Sequence, residues 1–224
     1  MKKITLLTCF ILFNLFYLNA QVGIQWANCY GGYSFDRSHC IQQTNDGGYI
    51  VAGRTESNDG DVTGFIGEYD SWVVKLDNLG IIEWEKCLGG DDGDISYSIQ
   101  QTTDGGYITV GSTRSSFKGD SGNNRTRNAF IAKLNDLGTI EWQKSIEQGS
   151  IANSVELTTD GGFVVAGGTG TGDGIWVGKF DDLGDSIWNF YFAGIDASSI
   201  KQTNDGGYIV AGGAYIGTGT SGYW

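Results

Sequence analysis

Five aspartates in two glycine-rich stretches are the residues of this sequence best suited to hold a cation. The stretches are SNDGDVTGFIGEYD at 57–70 and GGDDGD at 89–94, and the residues are Asp59, Asp61, Asp91, Asp92 and Asp94. Carboxylate oxygens are ligands that calcium prefers, although neither stretch fits the twelve-residue loop of an EF-hand. An aspartate beside a glycine also stabilises a turn by accepting hydrogen bonds from its own backbone. Calcium ligands and solvated turns are therefore both open interpretations.

The chain has too few histidines for the common forms of histidine-dependent chemistry. His39 is the only histidine, so neither a multi-histidine metal site nor a Ser-His-Asp triad is expected. Glycoside cleavage needs two carboxyl groups roughly 5 to 9 Å apart. Acidic residues are plentiful, but their spacing nominates no such pair. We expect a protein without catalytic activity, and a propeller-type glycosidase or lyase with a central pocket is the alternative.

One twelve-residue stretch occurs four times, and it indicates which secondary-structure elements position the candidate aspartates. QQTNDGGYIVAG at 42–53 returns in related form at 100–111, 156–167 and 201–212. A second series, SWVVKLD at 71–77, returns as AFIAKLN at 129–135 and IWVGKFD at 175–181. A third consists of tryptophans spaced 58, 58 and 46 residues apart, namely Trp26, Trp84, Trp142 and Trp188. A period of this size is typical of repeat architectures.

Each unit is expected to contain four short strands joined by tight turns. In the unit that starts at Asp94 we predict strands at 95–103, 107–112, 128–134 and 140–145, because these segments alternate or are rich in β-branched and aromatic residues. Asp-Gly-Gly turns join the first strand to the second, with glycine supplying the positive φ. The predicted fold class is all-β, and four-stranded antiparallel units at this spacing predict a β-propeller.

The aromatic repeat positions are expected to form the core. The residue after each Asp-Gly-Gly is predicted to pack between adjacent blades, because each blade needs a neighbour to bury its faces. These residues are Tyr49, Tyr107, Phe163 and Tyr208. All seven tryptophans lie at repeat positions and are predicted to be core residues as well.

The blade count predicts three full blades and one split or partial blade. If the tryptophan strand is outermost, Gly23–Cys29 is an isolated outer strand and 195–224 supplies three inner strands. An N-terminal strand that completes the last blade would close the ring. Four blades is the lower limit for such rings, and we expect the chain to be a fragment of a larger propeller.

The first twenty residues have the features of a secretory signal peptide. Lys2 and Lys3 precede a mostly apolar stretch at 4–18, and Leu18-Asn19-Ala20 offers a small residue before a cut at Gln21. The domain prediction is therefore a signal peptide at 1–20 and a propeller repeat domain at 21–224. No membrane span is expected in the mature chain. A formal net charge of −12 opposes binding to phosphate backbones, so nucleic acid is not expected as a partner.

The three cysteines outside the signal segment leave at least one thiol without a partner in the chain. Cys29 and Cys40 flank a ten-residue connection and could bridge neighbouring strands. The alternative is that all three, including Cys87, are small buried apolar residues.

The repeats resemble a known bacterial family. AFIAKLN at 129–135 and SIQQTTDGGYITVGST at 98–113 resemble the SBBP β-propeller repeats. They are also similar to the long DGGYIVAG–WVVKLD repeats of surface proteins exported by type IX secretion. The resemblance covers residues 22–224, and it implies a secreted or cell-surface propeller without indicating an activity. The shorter third blade and the lack of a C-terminal sorting domain depart from this pattern.

Alternate connections of an up-and-down blade lie at the same end, so the second-to-third and fourth-to-first connections share one face. The connections at 57–70, 115–127 and 169–174 carry the length variation. Insertions on one face of a repeat array usually mark the binding face. We therefore expect a module that binds protein or glycan there. The alternative is a structural spacer within a larger exported protein.

Overall fold

The computed structural model describes residues 23–115, 127–146, 151–169, 174–215 and 221–223. The predicted signal segment lies outside them. These residues form fifteen strands in four antiparallel sheets. None of the described residues belongs to a helix long and apolar enough to cross a membrane. The all-β prediction is confirmed.

The four sheets follow one another along the chain, and in each the spatial order of the strands is their order in sequence. The first blade contains β1 (Asp36–Gln43), β2 (Tyr49–Thr55), β3 (Asp70–Leu76) and β4 (Ile82–Leu88). The second contains β5 (Asp94–Gln101), β6 (Tyr107–Thr113), β7 (Asn128–Leu134) and β8 (Ile140–Ile146). The third contains β9 (Ile151–Leu157), β10 (Phe163–Gly168), β11 (Gly174–Phe180) and β12 (Ser186–Ala193). The fourth contains β13 (Asp196–Gln202), β14 (Tyr208–Tyr215) and β15 (Ser221–Tyr223).

The first strand of each blade is innermost and the tryptophan strand is outermost. β5 packs against β1 on one side and β9 on the other, and β9 packs against β13. β3 is buried at every position, whereas every residue of β12 is exposed or half-buried. This gradient from a packed third strand to a solvated fourth strand explains why the fourth strands mix charged and aromatic residues.

Adjacent blades meet through one repeated apolar contact. Ile50 of β2 packs in the same cluster as Ile99 of β5, and Val164 of β10 packs with Ile200 of β13. All four side chains are at most 1% exposed. The predicted aromatic contact is also present, because the Trp84 ring lies edge-on to Tyr107 at 5.5 Å between centroids. Trp188 with Tyr208 repeats the edge-on contact, and Trp142 with Phe163 is a stacked pair at the same position.

The segment before β1 does not form the outer strand predicted at Gly23–Cys29. Among the described residues no sheet edge lies beside it, and a strand needs a partner for its backbone groups. Trp26 nevertheless lies edge-on to Tyr49 at 5.7 Å and covers Gly80, as Trp84 covers Gly138. The tryptophan therefore occupies the position of an outer-strand residue without the strand.

The fourth blade has three strands, as predicted, and in the described part of the chain it does not pair with the first blade. The sheets therefore form an open arc. At its two ends no described residue completes the repeated apolar contact, and Ile41 is 61% exposed and Ile209 63% exposed.

In the first two blades a buried lysine ties the two turns together, and in the third blade a buried lysine holds the Asp-Gly-Gly turn. Lys75 Nζ donates to Asp46 Oδ2 at 2.8 Å, to Glu83 Oε2 at 2.7 Å and to the carbonyl oxygen of Leu76 at 3.1 Å. The second glycine of the Asp-Gly-Gly turn makes room for it, since a Cβ at Gly48 would lie 2.7 Å from Nζ. Lys133 repeats the contacts with Asp104 and Glu141, and Lys179 repeats the contact with Asp160.

These contacts make part of the stability depend on acid pH. Hydrogen bonds from Lys133 and Thr102 lower the pKa of Asp104 to about 2, below the value near 3.9 of an unfolded chain. The folded state therefore binds fewer protons, and this contribution is full above about pH 4 and is lost as the pH falls towards 2. Lys133→Met is expected to flatten the fall in melting temperature between pH 4 and pH 2, relative to the wild-type protein.

The matched control for this prediction is Lys144→Met, which removes a more exposed lysine paired with Asp185. We expect its pH profile to run parallel to that of the wild-type protein. Asp94 contributes with the opposite sign, because burial raises its pKa, so the comparison is made between variants and not on the absolute slope. Parallel profiles for the wild type and Lys133→Met would contradict the prediction.

Candidate functional site

Two ends of the arc carry connections of different character. We call the end with the β2–β3 and β4–β5 connections the loop end, and the other the turn end. Tyr69 forms a parallel bridge with Gly93, and the Asp94 amide donates to the Tyr69 carbonyl oxygen at 2.8 Å. The connections at 57–70 and 89–94 therefore meet, and the prediction that they share one face is confirmed. Of the connections at 115–127 and 169–174, residues 116–126 and 170–173 lie outside the described residues.

Two of the candidate aspartates hold the segment that precedes β1. Asp59 Oδ1 accepts a hydrogen bond from the Tyr33 amide at 2.8 Å. Asp61 Oδ2 accepts one from the Gly31 amide at 3.0 Å. Both side chains belong to exposed residues, and their role in this geometry is to fix the loop at 57–70 against the segment at 31–34.

The other three candidates differ in exposure. Asp91 is exposed, and Asp92 is half-buried with Oδ1 accepting from the Gly93 amide at 2.9 Å. Asp94 is fully buried, and its Oδ2 accepts from the Gly90 amide at 2.9 Å and the Ser115 hydroxyl at 2.8 Å. Burial raises the pKa of Asp94, and these hydrogen bonds oppose the rise.

Asp94 has a structural role that Asp36 repeats in the first blade. Among the described residues its Oδ1 atom has no hydrogen-bond partner within ordinary geometry. In the first blade the equivalent oxygen of Asp36 accepts from the Thr55 hydroxyl at 2.5 Å. Thr113 is the counterpart of Thr55, and turning its hydroxyl hydrogen would serve Asp94 in the same way.

Calcium binding by these aspartates stays a prediction. No group of three or more His, Cys, Asp or Glu side chains within the described ranges has an arrangement that could hold a metal ion. Asp59, Asp61, Asp92 and Asp94 each spend a carboxylate oxygen on a backbone amide. The turn interpretation fits Asp92 and Asp94, which accept from nearby amides, whereas Asp59 and Asp61 hold the distant segment before β1.

The sequence analysis missed one bulged residue on the innermost strand of each blade. In every blade the pairing of the first and second strands skips one residue of the first strand. The skipped residues are His39, Tyr97, Asn153 and Ser198. A bulge re-aims a side chain, and bulges are frequent beside functional sites. One signal in the sequence could have indicated the bulge. The residue type at this position differs in every repeat, whereas similar residues recur on either side of it.

The bulged residues of the first two blades form a connected polar cluster near the loop end. The His39 and Tyr97 rings meet edge-on at 5.0 Å. The Tyr97 hydroxyl accepts from Arg127 Nη2 at 2.8 Å, and the same guanidinium donates from Nε to the Ser112 hydroxyl at 3.1 Å. Partial burial and then the charges of Arg37 and Arg54 lower the pKa of His39. This shift favours the neutral imidazole.

Arg54 is held by stacking at the same end. Its guanidinium carbon lies 5.2 Å from the Phe35 ring centre and 5.0 Å from that of Tyr69. It also pairs with Glu56 at 3.3 Å. Aromatic faces attract a guanidinium through their quadrupole, so its position is fixed while its edge stays available for hydrogen bonds.

A cavity of about 410 Å³ lies on the face of the first blade that points away from the second blade. It is lined by Trp26, Ile41, Val51, Trp72 and Val74, among others. The corresponding faces of the second to fourth blades are covered by the preceding blade. The cavity is therefore the unpartnered end of the arc, and we do not treat it as a ligand site.

The three cysteines in the described part of the chain are free thiols, so the Cys29–Cys40 bridge does not form. Cys87 is buried, which raises its pKa to about 12, as expected for a small core residue. Cys29 is exposed and Cys40 is half-buried against the second blade. The expectation of burial is therefore met by Cys87 alone.

Comparison with known proteins supports the fold. No protein family model matches the chain, and no curated protein matches it. The WD40 β-propeller domain of Doa1 is similar in structure, with a TM-score of 0.52 and 13% identity over 77% of this chain and 47% of that one. A protein of unknown function from Bacteroides caccae has a TM-score of 0.52 and 10% identity over 81% of this chain and 55% of that one.

The chain thus has a β-propeller fold and spans about half the length of these solved structures. Their low identity carries no information on activity.

Proposed function

We propose that the chain is a non-catalytic binding module that engages an extracellular protein or glycan through its loop end. The observation that carries the proposal is the contrast between the two ends. At the turn end the same short turns recur, and their polar groups serve the fold. At the loop end the connections differ in length and expose side chains that the fold does not use, among them Tyr33 at 96% and Ile66 at 69% exposure.

The turn end is self-contained. The Asp104 carboxylate accepts from the Thr102 hydroxyl and the Gly106 amide, and the Asp77 carboxylate accepts from the amides of Leu79 and Ile81. Its turns expose a leucine at one repeat position, Leu79, Leu137 and Leu183, and in the first blade Ile81 as well. Isolated exposed apolar side chains are ordinary on protein surfaces.

Export is part of the proposal. It is supported by the signal-like residues 1–20 and by the resemblance of the repeats to SBBP propellers and to surface proteins exported by type IX secretion. We place the mature protein outside the cell, either secreted or on the outer surface. The second candidate is a structural spacer of a larger exported protein, which the regular repeats of the turn end would suit equally well.

Broad glycan and matrix-protein arrays separate the two functions. We expect reproducible binding by the wild-type protein and at least a tenfold loss in the double variant Tyr33→Ala, Ile66→Ala. The matched control is Leu79→Ala, Leu137→Ala, which removes similarly exposed apolar side chains from the turn end and should bind within about twofold of wild type. Silence across the arrays would favour the spacer. An equal loss in the control would remove the loop end from the proposal.

A further inference from the structure

The arginines in the described part of this acidic chain are mostly without carboxylate partners. Of the six lysines in the described ranges, five pair with an aspartate or glutamate, namely Lys75, Lys133, Lys144, Lys179 and Lys201. Of the four described arginines, only Arg54 does so. Arg37, Arg114 and Arg127 form no ion pair with any described residue. Because acidic residues outnumber basic ones by 26 to 14, chance would favour pairing.

All four arginines lie at the loop end of the first two blades. Arg37 is the second residue of β1 and stands opposite Arg54 of β2 in the register. Arg114 directly follows β6, and Arg127 directly precedes β7. We call these residues the arginine cluster. Like charges placed opposite each other on adjacent strands are destabilising, so the fold gains nothing from the first pair.

The cluster is pre-organised. Arg54 lies between the Phe35 and Tyr69 rings, and Arg127 is held by the Tyr97 and Ser112 hydroxyls. Rings and hydroxyls position a guanidinium without neutralising it, and of these two arginines only Arg54 also has a carboxylate partner, Glu56. The planar fork of an arginine suits bidentate binding of carboxylate or sulfate oxygens.

Resting on the function proposed above, we infer that the arginine cluster binds an acidic polysaccharide through its carboxylate or sulfate groups. The cationic groups span two blades, and Arg37 and Arg114 are exposed, which suits a chain with repeated charges better than a single small ion. Exposed rings flank them, since Phe35 is 51% exposed and Tyr33 is 96% exposed, and apolar ring faces can cover the apolar faces of sugars.

Nearby carboxylates limit which anions fit. Glu56 pairs with Arg54, and Glu68 and Asp91 are exposed on the neighbouring connections. A polyanion must therefore place its charges near the arginines and away from these residues. Screening over about 8 Å at physiological salt limits the repulsion from the remaining acidic residues, which give the chain its net charge of −12. Binding should weaken as salt is added, because the groups are partly exposed to solvent.

Titration of the full mature chain tests the inference with four probes. Polygalacturonate carries carboxylates, dextran sulfate carries sulfates, neutral dextran carries no charge, and poly-L-glutamate is an acidic peptide. We expect at least one acidic polysaccharide to bind and neutral dextran not to bind. The variant Arg37→Gln, Arg127→Gln should bind the acidic polysaccharide at least tenfold more weakly. A binder among the first two probes also identifies the anionic group.

Lys86→Gln is the matched control, because Lys86 is exposed on an outer strand and has no ion pair among the described residues. Its affinity should stay within about twofold of wild type, and circular dichroism melting should confirm that every variant folds. Three results would overturn the inference. The first is a loss of affinity in Lys86→Gln as large as the loss per substituted arginine in the double variant. The others are binding to poly-L-glutamate alone and binding to neither acidic polysaccharide. If the array binding is lost in the Tyr33→Ala, Ile66→Ala variant but no acidic polysaccharide binds, the inference fails and the proposed function stands.

Discussion

Alanine in place of Gly111 is expected to lower the free energy of unfolding by about 3 kcal/mol or more, at the upper end of overpacking costs. A Cβ at this position would lie 1.8 Å from the carbonyl oxygen of Ile95 on the neighbouring strand. The strands cannot separate to relieve this contact without breaking the register of β5 and β6 beside the Tyr97 bulge. Chemical denaturation of the purified protein, followed by tryptophan fluorescence, measures the change.

Gly213→Ala is the matched control for Gly111→Ala. Gly213 follows Gly212, which is the counterpart of Gly111 in the fourth blade, and the residue equivalent to Gly213 in the second blade is Ser112. A Cβ at Gly213 would meet its nearest atom, in the Ile195 side chain, at 3.4 Å. We expect a change within about 0.5 kcal/mol, typical of sites without a special constraint. Equal effects of the two substitutions would contradict this account.

Trp176→Ala is expected to cost about 3 to 5 kcal/mol, the range for truncating a buried aromatic residue. The Trp176 side chain is fully buried in the cluster between the second and third blades. Its indole nitrogen donates to Asn189 Oδ1 at 3.1 Å, and its ring lies edge-on to Phe180 at 6.2 Å. Removing it leaves a cavity and an amide oxygen without its donor.

Trp188→Ala supplies the comparison, measured by thermal and urea unfolding of both variants. Trp188 is half-buried on an outer strand and packs on Tyr208. Solvent can fill the space it vacates, so we expect a loss of about 1 to 2 kcal/mol, a typical value for a partly exposed contact. A larger loss for Trp188 than for Trp176 would show that the tryptophans do not follow the burial described here.

The repeat predicted the framework because its signals are local. In the second blade the third strand was predicted at 128–134 and is found at Asn128–Leu134. Tight turns and β-branched runs act within a few residues, so period and strand type can be read from the sequence. The error at Gly23–Cys29 has the complementary cause, since a strand also requires an edge to pair with, and the sequence does not state where that edge is.

The site could be predicted only in part. The shared loop end followed from strand count alone, and the structure confirms it through the Tyr69–Gly93 bridge. The bulges at His39 and Tyr97 were invisible to strand patterns, because one skipped residue changes which way a side chain points without changing composition. The arginine cluster was missed for a related reason: which charges are paired is decided by contacts across strands and blades.

The exposed ends of the arc determine how cooperatively the protein unfolds. Among the described residues each of the two middle blades is coupled to two neighbours, whereas the first and fourth blades are each coupled to one, with Ile41 and Ile209 at the uncoupled faces. Such an array behaves as a one-dimensional chain of units with nearest-neighbour coupling. The free energy of local unfolding is therefore smallest for the first and fourth blades. The second and third blades, where Gly111 and Trp176 lie, are the last to unfold.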